Sequence, residues 1–346
     1  MNYVDKFVRE RSRLLAALGE MADGGRVENC QHIGATRVLE IGDCIDLAIA
    51  AYPIDDSLDA KLGELGYAPS DENPNASLKK YRHVSSAFQL FVIESGDERW
   101  LERILTRDYL LHNAAARERY ASERAQWAND DARKQEFFRE VWNKAQAWWI
   151  ASSGFTPVEN LAQELFELRA AWHIVGGWAL DLFLGRVQRV HHDLDVEIAY
   201  ADQLSLREYM TARGWKFVTP FEKRLEVWQP ATRLEPPRHQ AHAHRDGAFI
   251  DFLLSDIEGG VWRYRREPSI VQVMERISMK AEQGIPYLAP EIILLFKSRN
   301  TSGKDRSKDE SDFRETLPHL EPARRAWLRW ALLAADPTHT WIEYLR

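Results

Sequence analysis

The chain has 346 residues, enough for two domains of ordinary size, and 45% apolar with 29% charged residues is a globular composition. A formal charge of -7 argues against a general nucleic-acid binder, which carries a basic face, and is compatible with a cationic small substrate. Only Cys30 and Cys44 are present, at no metal-ligand spacing, so a reducing cytoplasm is expected and a disulfide framework is not.

Tyr3 to Met21 repeats apolar residues at helical spacing and predicts an amphipathic helix, not the pattern of a signal peptide. No apolar run approaches the roughly 18 residues needed to span a bilayer. Val27 to Ile33 and Ile45 to Ala51 predict strands, and Pro53 with Asp55-Asp56 breaks the pattern and caps a helix through Leu65. Leu78 to His83 and Ala87 to Glu94 predict two more strands, followed by long helices over Glu98 to His112 and Ala114 to Trp149.

The polar cluster Ser152 to Pro157 (SSGFTP) predicts a boundary between domains spanning 1–151 and 152–346. After it the alternation restarts, with a helix over Val158 to Ala170, a strand over Trp172 to Val175, and a Gly-Gly pair opening a second helix. Strands are predicted at Leu194 to Ala199, Trp215 to Pro220, Arg224 to Trp228, Ala248 to Leu254 and Val261 to Tyr264. Helices close the chain at Pro290 to Arg299, Lys308 to Thr316 and Pro322 to Ala334, and the charged stretch Asn300 to Glu310 reads as a solvated loop. Each half begins helix, strand, turn, strand, so the architecture repeats although the sequence does not. The fold class expected is α/β (α+β), two tandem domains each built on a mixed sheet with flanking helices.

The chemistry concentrates in Ile174 to Ile198 (IVGGWALDLFLGRVQRVHHDLDVEI). An apolar strand ends in Gly176-Gly177, a helix follows at once, and Asp193-Leu194-Asp195 then enters a second apolar strand. Glycine lets backbone N–H groups approach a phosphate closely, and the helix N-terminus adds oriented donors. Carboxylates two apart in a strand share a face, which suits hard Mg²⁺ held by one or two carboxylates plus triphosphate oxygens. Two such ions could clamp the attacking and leaving oxygens of an in-line displacement. Asp251, in the apolar run AFIDFLLSD, would complete the set as a third ligand or as the base toward an acceptor hydroxyl. Asp256, five residues on, is a weaker candidate.

His239, His242 and His244 (RHQAHAH) invite a transition-metal reading because His242 and His244 alternate on one strand face, but such histidines more commonly serve packing or surface polarity. His191-His192 either assist a leaving pyrophosphate or line the turn. There is no P-loop, kinase signature or G-x-S-x-G elbow.

At Gly176-Gly177-Trp178-Ala179-Leu180-Asp181, Gly185-Arg186, Arg189 and His192-Asp193-x-Asp195 the chain resembles the aminoglycoside-2''-adenylyltransferase and lincosamide nucleotidyltransferase group, within the DNA polymerase β-like nucleotidyltransferase superfamily. The resemblance runs from about Leu161 to Leu333, through Glu291 and Lys297 and into Arg306-x-Lys308-Asp309-x-x-Asp312-Phe313. It implies Asp193 and Asp195 as Mg²⁺ ligands, and Asp251 as third acid and base. It also implies that Gly176 and Gly177 hold phosphate and that Lys297 and Lys308 face the triphosphate. Asp181, Arg186, Arg189 and His192 would shape the site.

The N-terminal half is similar to the GrpB-like family at His32 to Ala50 (HIGATRVLEIGDCIDLAIA), Leu105 to Arg124 and a closing helix with Lys144 and Trp148, above all at Arg107-Asp108-Tyr109-Leu110 followed by Tyr120. It departs from that family in having Gly34-Ala35 where Gly-Ser is usual, and in having Ala48 two residues after Asp46. One strand carboxylate makes a poor metal site, and Asp43 lies off the strand face, so this half is expected to be a degenerate or binding module, or a purely structural partner.

The expected activity is Mg²⁺-dependent transfer of AMP from ATP to a hydroxyl of a small acceptor, with an aminoglycoside-like antibiotic as the candidate. The alternatives are an endogenous metabolite, a tRNA end or a protein hydroxyl as acceptor, or a nucleotide-sensing protein that does not turn over. The net acidity argues against tRNA.

Overall fold

The protein is described by a computed structural model covering residues 2–19, 26–52, 54–70, 77–127, 130–222, 224–299 and 307–346. By contact the chain divides into two compact units, one of residues 1–152 with 222–227 and 244–249, the other of residues 153–221, 228–243 and 250–346. Met21, Pro53 and Arg306, which enter the expectations above, lie outside the described residues. Both units are mixed α/β with a mixed sheet and flanking helices. Among the described residues no helix is long and apolar enough to cross a membrane.

In the first unit, helix α1 (Tyr3–Leu18) starts where the Asn2 side chain accepts from the Asp5 N–H, and it buries Leu14 and Leu18. Strand β1 (Arg26–Ile33) runs into a one-turn helix α2 (Gly34–Val38), then β2 (Ile45–Tyr52), α3 (Asp56–Glu64), β3 (Tyr67–Pro69), β4 (Leu78–His83) and β5 (Phe88–Glu94). The sheet order is β1-β2-β5-β4-β3, with β2 parallel to β5 and the remaining pairs antiparallel. Strand β2 is central and almost wholly buried, which is why Ile45 to Ala51 reads as an unbroken apolar run.

Helices α4 (Glu98–His112), α5 (Ala114–Arg124) and α6 (Asp131–Ser153) follow. The single helix expected over Ala114 to Trp149 is two, because Asp130 accepts from the Arg133 N–H and so begins a new helix. The predicted boundary cluster is no open linker. Gly154 and Phe155 make a turn between α6 and α7 (Thr156–Glu164), and Pro157 occupies the first turn of α7.

The chain continues with β6 (Trp172–Ile174), α8 (Gly176–Leu184), β7 (Asp195–Ala199), α9 (Gln203–Thr211), β8 (Lys216–Phe221), β9 (Arg224–Val227), β10 (Gln240–Arg245) and β11 (Ala248–Glu258). Short elements complete the framework: β12 (Val261–Arg263), β13 (Val271–Val273), α10 (Met274–Ile277), β14 (Ser278–Lys280) and β15 (Pro286–Leu288). Helices α11 (Pro290–Ser298), α12 (Ser307–Thr316) and α13 (Pro322–Ala335) cover it. The sheet order is β14-β15-β6-β7-β11-β10-β8-β9. The relation that positions the site is the parallel pairing of β7 with β11, in which Asp195 stands opposite Asp251 and Val196 opposite Phe252.

Candidate active site

Gly176 opens α8 with φ +65°, a left-handed backbone that a side chain would strain. A Cβ there would lie 2.0 Å from Asp195 Oδ2, and one on Gly177 would lie 2.2 Å from His191 Cε1. The glycine pair is therefore required by the close approach of the carboxylate and the imidazole, in addition to any phosphate. The Val175 N–H donates to the Asp195 carbonyl (3.0 Å) and the Asp251 N–H to the Leu194 carbonyl (2.9 Å), which ties the turn, β7 and β11 together.

Asp195 is the first residue of β7, so Asp193 lies before the strand rather than on its face as expected, and its side chain is exposed. Trp178 Nε1 donates to the Asp193 carbonyl at 3.1 Å and fixes the turn. Asp251 is 9% exposed. Its Oδ2 accepts from Gln240 Nε2 at 2.7 Å, while Oδ1 has no hydrogen-bond partner and lies 3.6 Å from His242 Nε2. Burial, reinforced by the Asp193 charge, pushes the Asp251 carboxyl up to about 7. Burial and the charges of Asp193 and Asp251 hold Asp195 well above the usual carboxylate range.

A cavity of ≈ 260 Å³ opens beside these groups. Gly176, Asp195 and Lys297 line it, as do Glu197, Ser255 and Arg265, which sequence reasoning missed. The signal for Glu197 was its place two residues after Asp195, on the same strand face. Glu197 Oε1 accepts from Ser255 Oγ (2.6 Å) and Trp262 Nε1 (2.9 Å), and burial pushes its carboxyl up to about 7 against those bonds. Arg265 and its neighbour Arg266, also on the cavity wall, had no sequence signal.

Lys297, near the end of α11, reaches Asp309 (3.1 Å) and Asp312 (2.8 Å) on α12. Burial works against its charge, but the two carboxylates keep its pKa above the ordinary value. Arg189 also engages Asp312, at 3.1 Å, so α12 is fastened to the active-site turn by a small ion-pair network. Asp181 is fully buried and accepts from His191 Nε2 (2.7 Å) and Gln188 Nε2 (3.2 Å). Burial lowers the His191 pKa, so the imidazole is neutral and orients the turn through this bond.

Of the remaining predicted residues, His239 also lines the cavity, and the following lie apart from it. Lys308 is on the exposed face of α12, and Arg186 pairs with Glu315 at 2.9 Å on the surface. His192 is half-buried in the turn before Asp193. Asp256 is exposed and paired with Arg263, and Glu291 is buried against Arg324. His244 is buried on β10, and among the described residues no group of three His, Cys, Asp or Glu side chains is already drawn together as a metal cluster.

The donor set nevertheless fits a hard divalent cation. Three carboxylates repel one another, one buried carboxylate oxygen is orphaned, and two protein oxygens completed by phosphate oxygens are a usual coordination for Mg²⁺.

A glycine turn at the start of a helix, set against aspartates placed opposite on neighbouring strands, defines the candidate site. Two family models place the two halves: residues 158–315 match the Aminoglycoside-2''-adenylyltransferase family, and residues 1–152 match the GrpB protein family. The second half is thus an adenylyltransferase-like domain and the first half a GrpB-like one. No curated protein matches the chain.

Among solved structures, the conserved protein GrpB from Enterococcus faecalis is 20% identical, over 41% of this chain and 91% of its own, with a TM-score of 0.35. ANT(2")-Ia in complex with adenylyl-2"-tobramycin is 15% identical, over 51% and 95%, with a TM-score of 0.38. The lincomycin-bound lincosamide antibiotic adenylyltransferase LnuA is 15% identical, over 46% and 94%, with a TM-score of 0.34.

Proposed function

We propose that the second half of the chain, residues 152–346 with the catalytic groups Asp193, Asp195 and Asp251, is a Mg²⁺-dependent nucleotidyltransferase. In this reading it moves AMP from ATP to a hydroxyl of a small acceptor of the aminoglycoside class. The observation that carries the reading is the in-register placement of Asp251 beside Asp195 under the Gly176 turn, and the match to an adenylyltransferase family model supports it.

Asp193, Asp195 and Asp251 would hold Mg²⁺, whose contribution is to neutralise charge on the phosphate oxygens. The rest falls to the chain's own groups. Gly176 and Gly177 leave room for the phosphates at the N-terminus of α8. Arg189 and Lys297, held by Asp312 and Asp309, supply hydrogen-bond donors toward the triphosphate. The acceptor oxygen forms its bond to the α-phosphorus as the bond to pyrophosphate breaks, and Asp251 takes the hydroxyl proton. A carboxyl pushed up to about 7 is well matched to that transfer near neutral pH. His192 closes the turn beside Asp193. The first unit, residues 1–151, takes no part in the chemistry. The free thiols Cys30 and Cys44 support a cytoplasmic setting.

The test is pyrophosphate release from ATP with Mg²⁺ across a panel of aminoglycosides and lincosamides, beside an Asp193→Ala, Asp195→Ala double variant. Release that requires both an acceptor and the aspartates is expected. ATP binding with no release for any antibiotic would reject this acceptor class and turn the search to endogenous acceptors.

A further inference from the structure

A second cavity, ≈ 850 Å³, lies wholly within residues 33–138 of the first unit and is of a size that suits small organic ligands. Its floor repeats the geometry of the second unit with different chemistry. Gly34 opens α2 at φ +72°, and a Cβ there would lie 2.1 Å from Asp46 Oδ2, just as Gly176 abuts Asp195. β2 runs parallel to β5 with Asp46 opposite Gln89, as β7 runs parallel to β11 with Asp195 opposite Asp251. Cys44 therefore stands where the second unit has Asp193, and Gln89 stands where it has Asp251. Two of three carboxylates are neutral here, and Asp43 does not line the cavity. A carboxylate cage for a metal ion is gone.

What lines the cavity instead is an excess of cations, Arg99, Arg103, Arg107, Arg124 and Lys134 against the acids Asp46, Glu102 and Asp131. Arg103, Arg124 and Lys134 face it, and among the described residues none of the three forms an ion pair. The Arg103 guanidinium lies 4.2 Å over the Phe91 ring, and its Nε is a buried donor with no acceptor. A second orphan donor, Trp127 Nε1, belongs to a side chain 9% exposed that lines the same cavity. Burial lowers the Arg103 pKa, so its charge is held there at a cost. Buried donors and unpaired cations gathered on one cavity call for an acceptor-rich anion, and guanidinium forks suit phosphate oxygens. The rings of Trp127 and Phe138, tilted 53° to one another, supply an apolar wall beside them.

We propose that the first unit binds a nucleoside polyphosphate in this cavity, with Arg103, Arg124 and Lys134 on its phosphates, without a divalent metal ion and without turnover. This assignment stands independently of the reaction proposed for the second unit.

The test is calorimetric titration of the full-length protein with ATP in EDTA, with pyrophosphate and adenosine in separate arms. ATP is expected to bind, pyrophosphate to compete more weakly, and adenosine to give no measurable binding. Arg103→Gln is expected to weaken ATP about tenfold or more, and Arg124→Gln severalfold, as for a lost charge-assisted bond. Lys280→Gln, exposed and outside both cavities, should leave the affinity unchanged. Circular dichroism checks each variant, and if Arg103→Gln does not fold, Arg124→Gln and Lys134→Gln decide. The proposal is overturned if neither ATP nor pyrophosphate binds, if adenosine or pyrophosphate binds as tightly as ATP, or if ATP binding survives the arginine variants and is lost in Asp195→Asn.

Discussion

Asp251 stands opposite Asp195 on neighbouring parallel strands, where burial and the Asp193 charge raise the proton affinity of both carboxyls, the Asp251 charge adds to that of Asp195, and one Asp251 oxygen has no hydrogen-bond donor. Asp251→Asn keeps the shape and the Gln240 contact but removes the proton acceptor. The expected result is a fall in kcat of about 10²- to 10⁴-fold, together with a rise in the KM for ATP because a carboxylate toward the metal is lost as well. Steady-state pyrophosphate release reads both constants, and an Asn variant as fast as the parent would remove Asp251 from the role of base.

Gly176→Ala puts a methyl group 2.0 Å from Asp195 Oδ2 on a backbone with positive φ. Strain of about 1–3 kcal/mol is expected together with loss of activity, because the carboxylate must move. Gly34→Ala meets Asp46 at 2.1 Å and should lower stability by a similar amount while activity is retained. Thermal unfolding beside turnover separates the two variants.

Lys297→Ala leaves Asp309 and Asp312 facing each other without their shared ammonium. Breaking a buried ion pair from one side costs about 3–5 kcal/mol, and the KM for ATP should rise as well. Urea unfolding measures the first effect. If Lys297→Ala matches the parent in both respects, the lysine neither supports the fold nor faces the nucleotide.

His173 is buried against Ser278 Oγ at 2.8 Å, and burial pushes its pKa down to about 4. Between pH 6.5 and 4 the unfolded chain takes up a proton that the folded chain does not, so stability falls as pH falls through this window. The loss from this one residue reaches up to about 3 kcal/mol near pH 4 and stops growing below it. Urea midpoints at pH 7.5 and 5, for the parent and for His173→Gln, check it: the variant should show the shallower pH dependence.

The long apolar strands were legible because burial on both faces forces an unbroken run, as in Ile45 to Ala51, and the Gly176-to-Asp195 order stood out because few residues satisfy it by chance. What escaped reading had a tertiary cause. The three-residue strands β13, β14 and β15 exist through their partners and have no period of their own. In α9 the buried residues are Gln203, Leu206 and Met210, and two apolar positions are too few to establish a pattern. Asp193 was expected on a strand face, but the chain enters β7 only at Asp195. Arg265 and Arg266 reach the cavity through folding of distant segments, which no local spacing records.

The parallel register of β7 and β11 acts as a single mechanical setting for the second unit. Side chains alternate along a strand, so a slip of β11 by one residue would turn Asp251 away and present Ile250 or Phe252 to Asp195. Any insertion inside either strand would thus disarm the constellation while leaving every residue of it in the sequence, whereas drift in the buried residues that keeps the pairing leaves it armed. The acids supply reactivity, but the buried neighbours Val196, Phe252 and Leu254 decide whether that reactivity is assembled.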